Sequence, residues 1–165
     1  IKKIYIPKLV FFLNIVVYEI VNFLLVMVAL FILGLATDTI QVHLKYFYLL
    51  IPVISAIFFS IGVSIVCGIL GVYFRDVAHM VPLIMNALFF ATPIMYFLEN
   101  ALPFMKLLNM YNPFYYYVEI FRSPILYAKT PDLNMMFICV FMSLVSFVYG
   151  LFLLNKYNNR ILFKL

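Results

Sequence analysis

Along the chain, apolar positions gather into four long runs, separated by short charged or proline-bearing stretches. The first run, residues 9–35, is broken only by Asn14, Glu19 and Asn22 before Gly34. The second covers 46–74 and stops at Arg75-Asp76; the third covers 81–98 and the fourth 133–154. A helix needs about 20 mostly apolar residues, within a range of about 17–25, to cross a hydrocarbon core about 30 Å thick. All four runs meet that length. Strands of a membrane barrel would alternate polar and apolar positions with a period of two, and these runs do not. The pattern predicts an all-α, polytopic transmembrane helical bundle with four spanning helices.

Residues 99–132 fit neither a span nor a solvated loop. They carry Phe104, Tyr111, Phe114, Tyr115, Tyr116, Tyr117, Phe121 and Tyr127, punctuated by Pro103, Pro113, Pro124 and Pro131. A loop in water would not hold so much aromatic surface. Tyrosine belts anchor proteins at membrane interfaces, which gives one reading. The other is a re-entrant external segment of short helices, tolerated because it buries against protein or lines a cavity. Asn112 suits an N-cap with Pro113 in the first turn. Glu119 and Arg122 then stand i, i+3 and can pair.

Composition removes the alternatives. Apolar residues make up 68% and charged residues 10% of the 165, against about 45–50% and about 25% in soluble domains. One soluble core of this size cannot hide that surface, and the composition is the reverse of a disordered chain. The formal charge is +5, but its placement matters more than its size. With the N-terminus inside, Lys2, Lys3, Lys8, Arg75, Lys156, Arg160 and Lys164 are cytoplasmic, and Lys45, Lys106, Arg122 and Lys129 are external. That bias predicts both termini in the cytoplasm. The basic residues serve topology, so no nucleic-acid partner is expected.

Two features inside the runs invite function. Ser60, Ser64, Gly68 and Gly71, with Cys67 beside them, share one helical face and predict close packing of membrane helices, within one subunit or between two. Glu19 is the one acid inside a run, and an intramembrane carboxylate is a functional candidate by default. Asn14 and Asn22 occupy the same broad sector, giving an expected polar cluster. Glu19 also keeps open a channel or other transport subunit. Cys67 and Cys139 lie in apolar runs without a Cys-x-x-Cys or Cys/His cluster, so no metal site is expected. His43, His79 and the scattered acids make no catalytic constellation. No phosphate loop of the G-x-x-x-x-G-K-[ST] type occurs, so no cofactor is expected on this chain and ATP with Mg²⁺ would belong to a partner.

Certain stretches resemble a known family. Tyr73-Phe74-Arg75-Asp76-Val77, Val81-Pro82-Leu83 and Phe89-Phe90-Ala91-Thr92-Pro93-Ile94 resemble a signature of the ABC-2 type permeases of bacterial polysaccharide-export ABC transporters. Asn112-Pro113-Phe114 followed by Glu119-Ile120-Phe121-Arg122 is similar to that family's "NP…E.FR" segment. Ile1-Lys2-Lys3-Ile4-Tyr5-Ile6-Pro7-Lys8 resembles the end of its cytoplasmic coupling region. The resemblance implies a six-helix fold of which helices three to six are present, the chain being a fragment or processed product. It implies a homodimer in the bacterial cytoplasmic (inner) membrane, a separate ABC ATPase subunit, and a lipid-linked polysaccharide such as O-antigen, capsule or teichoic acid as cargo.

Carried over by position, residues 1–8 would contact the ATPase through Lys2, Lys3, Tyr5 and Lys8. Residues 9–154 would form the membrane domain and 155–165 a cytoplasmic tail. Tyr111 to Tyr127 would be re-entrant gate helices, held by the Glu119–Arg122 ion pair. Sugar rings present apolar C–H faces, so a path of Tyr111, Phe114, Tyr115, Tyr116, Tyr117 and Phe121 could hold them by stacking. Neighbouring tyrosines are about 100° apart on a helix, so Tyr115 with Phe114 or Phe121 is the expected lining.

Overall fold

The computed structural model describes residues 9–37, 44–98 and 101–161, and every regular element among them is helical. Helix α1 spans Leu9–Ala36. A 3₁₀ segment, Leu44–Leu49, runs straight into α2, Leu50–Tyr73. Pro52 falls in the first turn of α2, where a missing N–H costs no intrahelical bond. At Phe74 the backbone turns extended (φ −129°, ψ 105°), and Arg75-Asp76 makes the corner into α3, Val77–Ala91. Two short helices follow, α4 (Pro103–Tyr111) and α5 (Pro113–Leu126). Helix α6, Leu133–Ile161, starts where the Asp132 carboxylate accepts the Asn134 N–H at 3.0 Å.

Among the described residues three helices, α1, α2 with its 3₁₀ lead-in, and α6, are long and apolar enough to cross a membrane. The third apolar run differs from the expected span over 81–98. Its helix begins at Val77 and stops at Ala91 after 15 residues, about 22 Å of rise. The reason is Pro93, whose ring drives Thr92 out of helical geometry (φ −78°, ψ 135°).

Helices α2 and α6 run parallel and make the core. Ile61, Ile65 and Ile69 pack with Val16 and Leu154. Edge-on ring contacts continue the seam at Phe58–Phe147 (5.1 Å) and Tyr73–Tyr157 (5.7 Å). Gly62 and Gly150 permit the approach. A Cβ on Gly62 would run into the Ser146 backbone, and one on Gly150 would lie 2.9 Å from the Gly62 carbonyl oxygen.

The small face expected from Ser60, Ser64, Gly68 and Gly71 is therefore not the one that takes α6. Ser60 and Ser64 look into the gap toward α1, and a Cβ on Gly71 would meet nothing within 4 Å. Helix α6 packs instead where Gly62 meets the glycine on the partner helix, Gly150. Helix α1 lies antiparallel to α2, with Val16 in the core cluster and Phe31 against Tyr46 at 5.2 Å. Most of its side chains are exposed. A second cluster, Tyr117, Ile120, Met136 and Cys139, seats α5 on α2 and α6.

Candidate functional site

The site is built where α3 ends and the α4–α5 turn meets it. Phe114, just past that turn, packs edge-on against Phe59 at 5.9 Å, about 14 Å along α2 from Leu50 at 1.5 Å per residue. At the other end of α5, Lys45 Nζ donates to the Ala128 carbonyl at 2.6 Å, beside the start of α2. Helix α5 thus climbs from the middle of the bundle to the Lys45 end. Its start has the chemistry the sequence predicts. Asn112 Oδ1 accepts the Phe114 N–H at 3.0 Å, and Pro113 occupies the first helical position. Its finish does not use glycine: Ala128 sits at φ 49°, in a left-handed conformation that costs a non-glycine residue about 1–2 kcal/mol.

A helix leaves its last carbonyls without intrahelical donors, and in an apolar setting no water supplies them. Side chains supply them here. Thr92 Oγ1 donates to Leu88 O at 2.6 Å. Tyr96 Oη and Asn109 Nδ2 both donate to Ala91 O, at 2.8 and 3.1 Å. Asn112 Nδ2 donates to Thr92 Oγ1 at 2.8 Å. Arg122 Nη2 donates to Pro93 O and Ile94 O at 2.6 and 3.1 Å. Thr92, Asn109 and Asn112 are all buried, Asn109 completely.

Arg122 is the pivot of this cluster. Its Nη1 lies 3.4 Å from Glu119 Oε2, with only 10% of the Arg122 side chain exposed. Its Cζ lies 5.4 Å from the Phe97 ring centroid. A cation beside the carbonyl end of a helix is also favoured by the helix dipole. Glu119 and Arg122 thus do more than pair within α5; they tie α5 to the segment leaving α3.

The other expected site residues scatter. Tyr111 is exposed. Tyr116 Oη donates to Met110 O at 2.8 Å, turning the ring back over α4. Tyr117 is buried, and its hydroxyl donates to Cys139 O at 3.4 Å. Tyr115 and Phe121, expected on one wall, line different cavities, because six residues along a helix leave them about 120° apart. Asn14, Glu19 and Asn22 are exposed on α1. The expected polar cluster does not form: Glu19 makes no hydrogen bond to either among the described residues, since α1 packs too lightly to fold that sector inward. Lys2, Lys3, Tyr5 and Lys8 lie outside the described residues.

Two apolar cavities flank α5. One, of 450 Å³, lies between α1, α2 and α5, with Glu19, Ser60, Ser64 and Phe121 in its wall. The other, of 970 Å³, continues along α1 past Leu33 and Thr37. Phe121 and Tyr117 face both, and the Phe23–Phe121 edge contact at 5.8 Å stands between them.

Sequence reasoning missed three residues of the site: Asn109, Thr92 as a donor, and Lys45. The signals were an amide three residues before Asn112 and a threonine before a proline, but both gain meaning only from the α3 carbonyls they reach. A protein-family profile described as ABC-2 type transporter matches residues 2–126. No curated protein matches the chain.

Proposed function

Because the chain belongs to the ABC-2 type transporter family and is thus the multi-pass transmembrane subunit of an ABC transporter, with ATP hydrolysis on a partner ATPase, we propose that it exports lipid-linked polysaccharide. The observation that carries this reading is the convergence of three separated motifs. Thr92-Pro93-Ile94, Asn112-Pro113 and the Glu119/Arg122 pair are 20 or more residues apart at the extremes, yet they share one hydrogen-bonded cluster. These are the residues on which the resemblance to polysaccharide exporters rests. They fix an aromatic helix, α5, against a helix that stops short.

In this reading α4 and α5 are a re-entrant pair on the outer side of the cytoplasmic membrane, and α5 is the gate. The long spans α1, α2 and α6 guide the lipid end of the cargo along apolar walls. Tyr115 and Phe121 offer ring faces to sugar on opposite sides of α5, so stacking can hold a chain without a deep fixed pocket. Residues 1–8 contact the ATPase through Lys2, Lys3, Tyr5 and Lys8, both termini are cytoplasmic, and a second copy completes the path.

The test is ATP-driven export by the whole transporter in proteoliposomes carrying lipid-linked polysaccharide. Alanine at both Tyr115 and Phe121 lowers polymer moved per inserted molecule, while membrane insertion and ATPase association persist. Leucine at the same positions inserts equally well and does not recover export. Parental export from the alanine variant overturns the reading.

A further inference from the structure

Apart from the two apolar cavities, α5 borders a third pocket of 550 Å³ between its Tyr115 face and the segment after α3. Phe97, Tyr115, Glu119, Arg122, Tyr127 and Lys129 line it. Its size falls within the range of about 300–1,000 Å³ typical of small-molecule sites. The walls of the other two are mainly apolar, whereas polar and apolar surface contribute about equally here.

The chemistry of that wall narrows the ligand. Phe97 and Tyr127 are both exposed, at 54% and 43%, so their rings are available for stacking. The Glu119 carboxylate accepts from Arg122 alone among the described residues, over a long 3.4 Å, and a carboxylate has about four acceptor sites. It has capacity for hydroxyl donors. The Arg122 Nη atoms are engaged by Pro93, Ile94 and Glu119, so they are not set to receive an anion, and Glu119 repels one. Lys129, exposed at the rim, can donate to a ligand hydroxyl. Apolar ring faces, an acceptor and a rim donor together suit a neutral, hydroxylated ring.

The pocket is also held in shape beforehand. Ser123 Oγ donates to Glu119 O at 2.9 Å, Arg122 is pinned to the segment leaving α3, and Tyr115 rests edge-on against Tyr116 at 5.2 Å. A site fixed before binding loses less entropy when a ligand arrives.

We propose that this pocket is a saccharide-binding site that takes one neutral hexose unit, with Tyr115 and Tyr127 stacking on the ring and Glu119 accepting its hydroxyls. The proposal rests on the polysaccharide reading above and locates a holding point for the chain beside the gate helix, off the apolar cavities.

The test is saturation-transfer NMR on the whole transporter in nanodiscs, without ATP, using D-glucose, D-galactose, D-mannose and N-acetyl-D-glucosamine as probes. Saturation passes to the ring C–H protons of at least one of these sugars. Tyr115→Ala and Tyr127→Ala each weaken that binding by about five-fold or more, the lower end of what one aromatic stacking surface is worth. Tyr115→Phe, which keeps the ring, binds as the parent does and shows that the fold survives. Glu119→Gln weakens binding, and Leu107→Ala, exposed on α4 and outside the pocket, leaves it unchanged. No transfer to any of the four sugars overturns the proposal, as does equal transfer in a Tyr115→Ala, Tyr127→Ala double variant. Displacement of the sugar by inorganic phosphate makes it an anion site and overturns the proposal as well. A transporter that exports polysaccharide yet binds none of the probes defeats the pocket and leaves the export reading standing; one that binds hexose but moves no polymer defeats the export reading alone.

Discussion

Asn112 concentrates more of the site than any other side chain, because its two amide atoms act in different elements. Oδ1 caps α5 through the Phe114 N–H, and Nδ2 reaches Thr92 at the end of α3. Asn112→Ala loses a cap, worth about 1 kcal/mol, and a buried hydrogen bond worth about 0.5–1.5 kcal/mol. The expected result is a loss of about 1–3 kcal/mol in chemical unfolding of the detergent-solubilised transporter. Asn112→Asp keeps the capping acceptor but turns a buried carboxylate oxygen toward Thr92 Oγ1, whose proton already goes to Leu88 O, so its loss is at least as large. A parental unfolding midpoint for Asn112→Ala would show that neither bond holds α5. The cap was legible in the sequence, since Asn-Pro before an aromatic run signals a helix start. The donor role was not, because Thr92 lies 20 positions away and meets Asn112 only in three dimensions.

At the scale of elements, the α2–α6 seam decides the bundle. Gly62 and Gly150 face one another so closely that any added carbon meets backbone rather than a movable side chain tip. Overpacking of that kind costs about 1–3 kcal/mol. Gly62→Ala therefore lowers the thermal unfolding midpoint of the transporter markedly, whereas Gly71→Ala, which adds a carbon into open space, leaves it near the parental value. Equal midpoints for the two variants would mean that the seam lies elsewhere. The same comparison separates the serine-glycine stripe from the face that takes α6. A stripe of small residues marks a surface able to accept a close neighbour, and Gly62, about half a turn away on α2, offers another at a single position. Helix α3 teaches a related lesson. Its apolar run continues past Thr92, and only the restriction that Pro93 places on Thr92 divides run from helix.

The described residues form three long apolar helices, a shorter helix packed beside α2, and a bent pair of which α5 seats on α2 and α6. The Lys45–Ala128 bond and the Phe31–Tyr46 contact define one end of the bundle. The Arg75-Asp76 corner and the Tyr73–Tyr157 contact define the other. The distribution of basic residues predicts that the first end faces outward. In intact cells expressing variants that lack Cys67 and Cys139, a cysteine at Lys129 (Lys129→Cys) reacts with a membrane-impermeant maleimide. A cysteine at Lys156 (Lys156→Cys) reacts only after the cells are opened. Both side chains are exposed, so burial does not confound the comparison. The reverse labelling pattern would invert the orientation of every helix, and with it the outer position of α5.

The number and helical nature of the apolar elements needed nothing beyond the sequence. They follow from run length and missing alternation, which are local properties of the chain. So did the Asn112–Pro113 helix start and the proximity of Glu119 to Arg122, because capping and i, i+3 spacing are set within a few residues. Where Arg122 spends the rest of its hydrogen bonds, which face of α2 receives α6, and how α5 divides its aromatic rings among three cavities were decided by tertiary structure alone. Each depends on an atom contributed by a distant segment: the Pro93 carbonyl, the backbone at Gly150, the ring of Phe23. Local spacing can say that a side chain is able to reach outward. Only the packed bundle supplies what it reaches, and in an apolar setting an unpaired carbonyl or a misplaced carbon is costly enough to fix that choice.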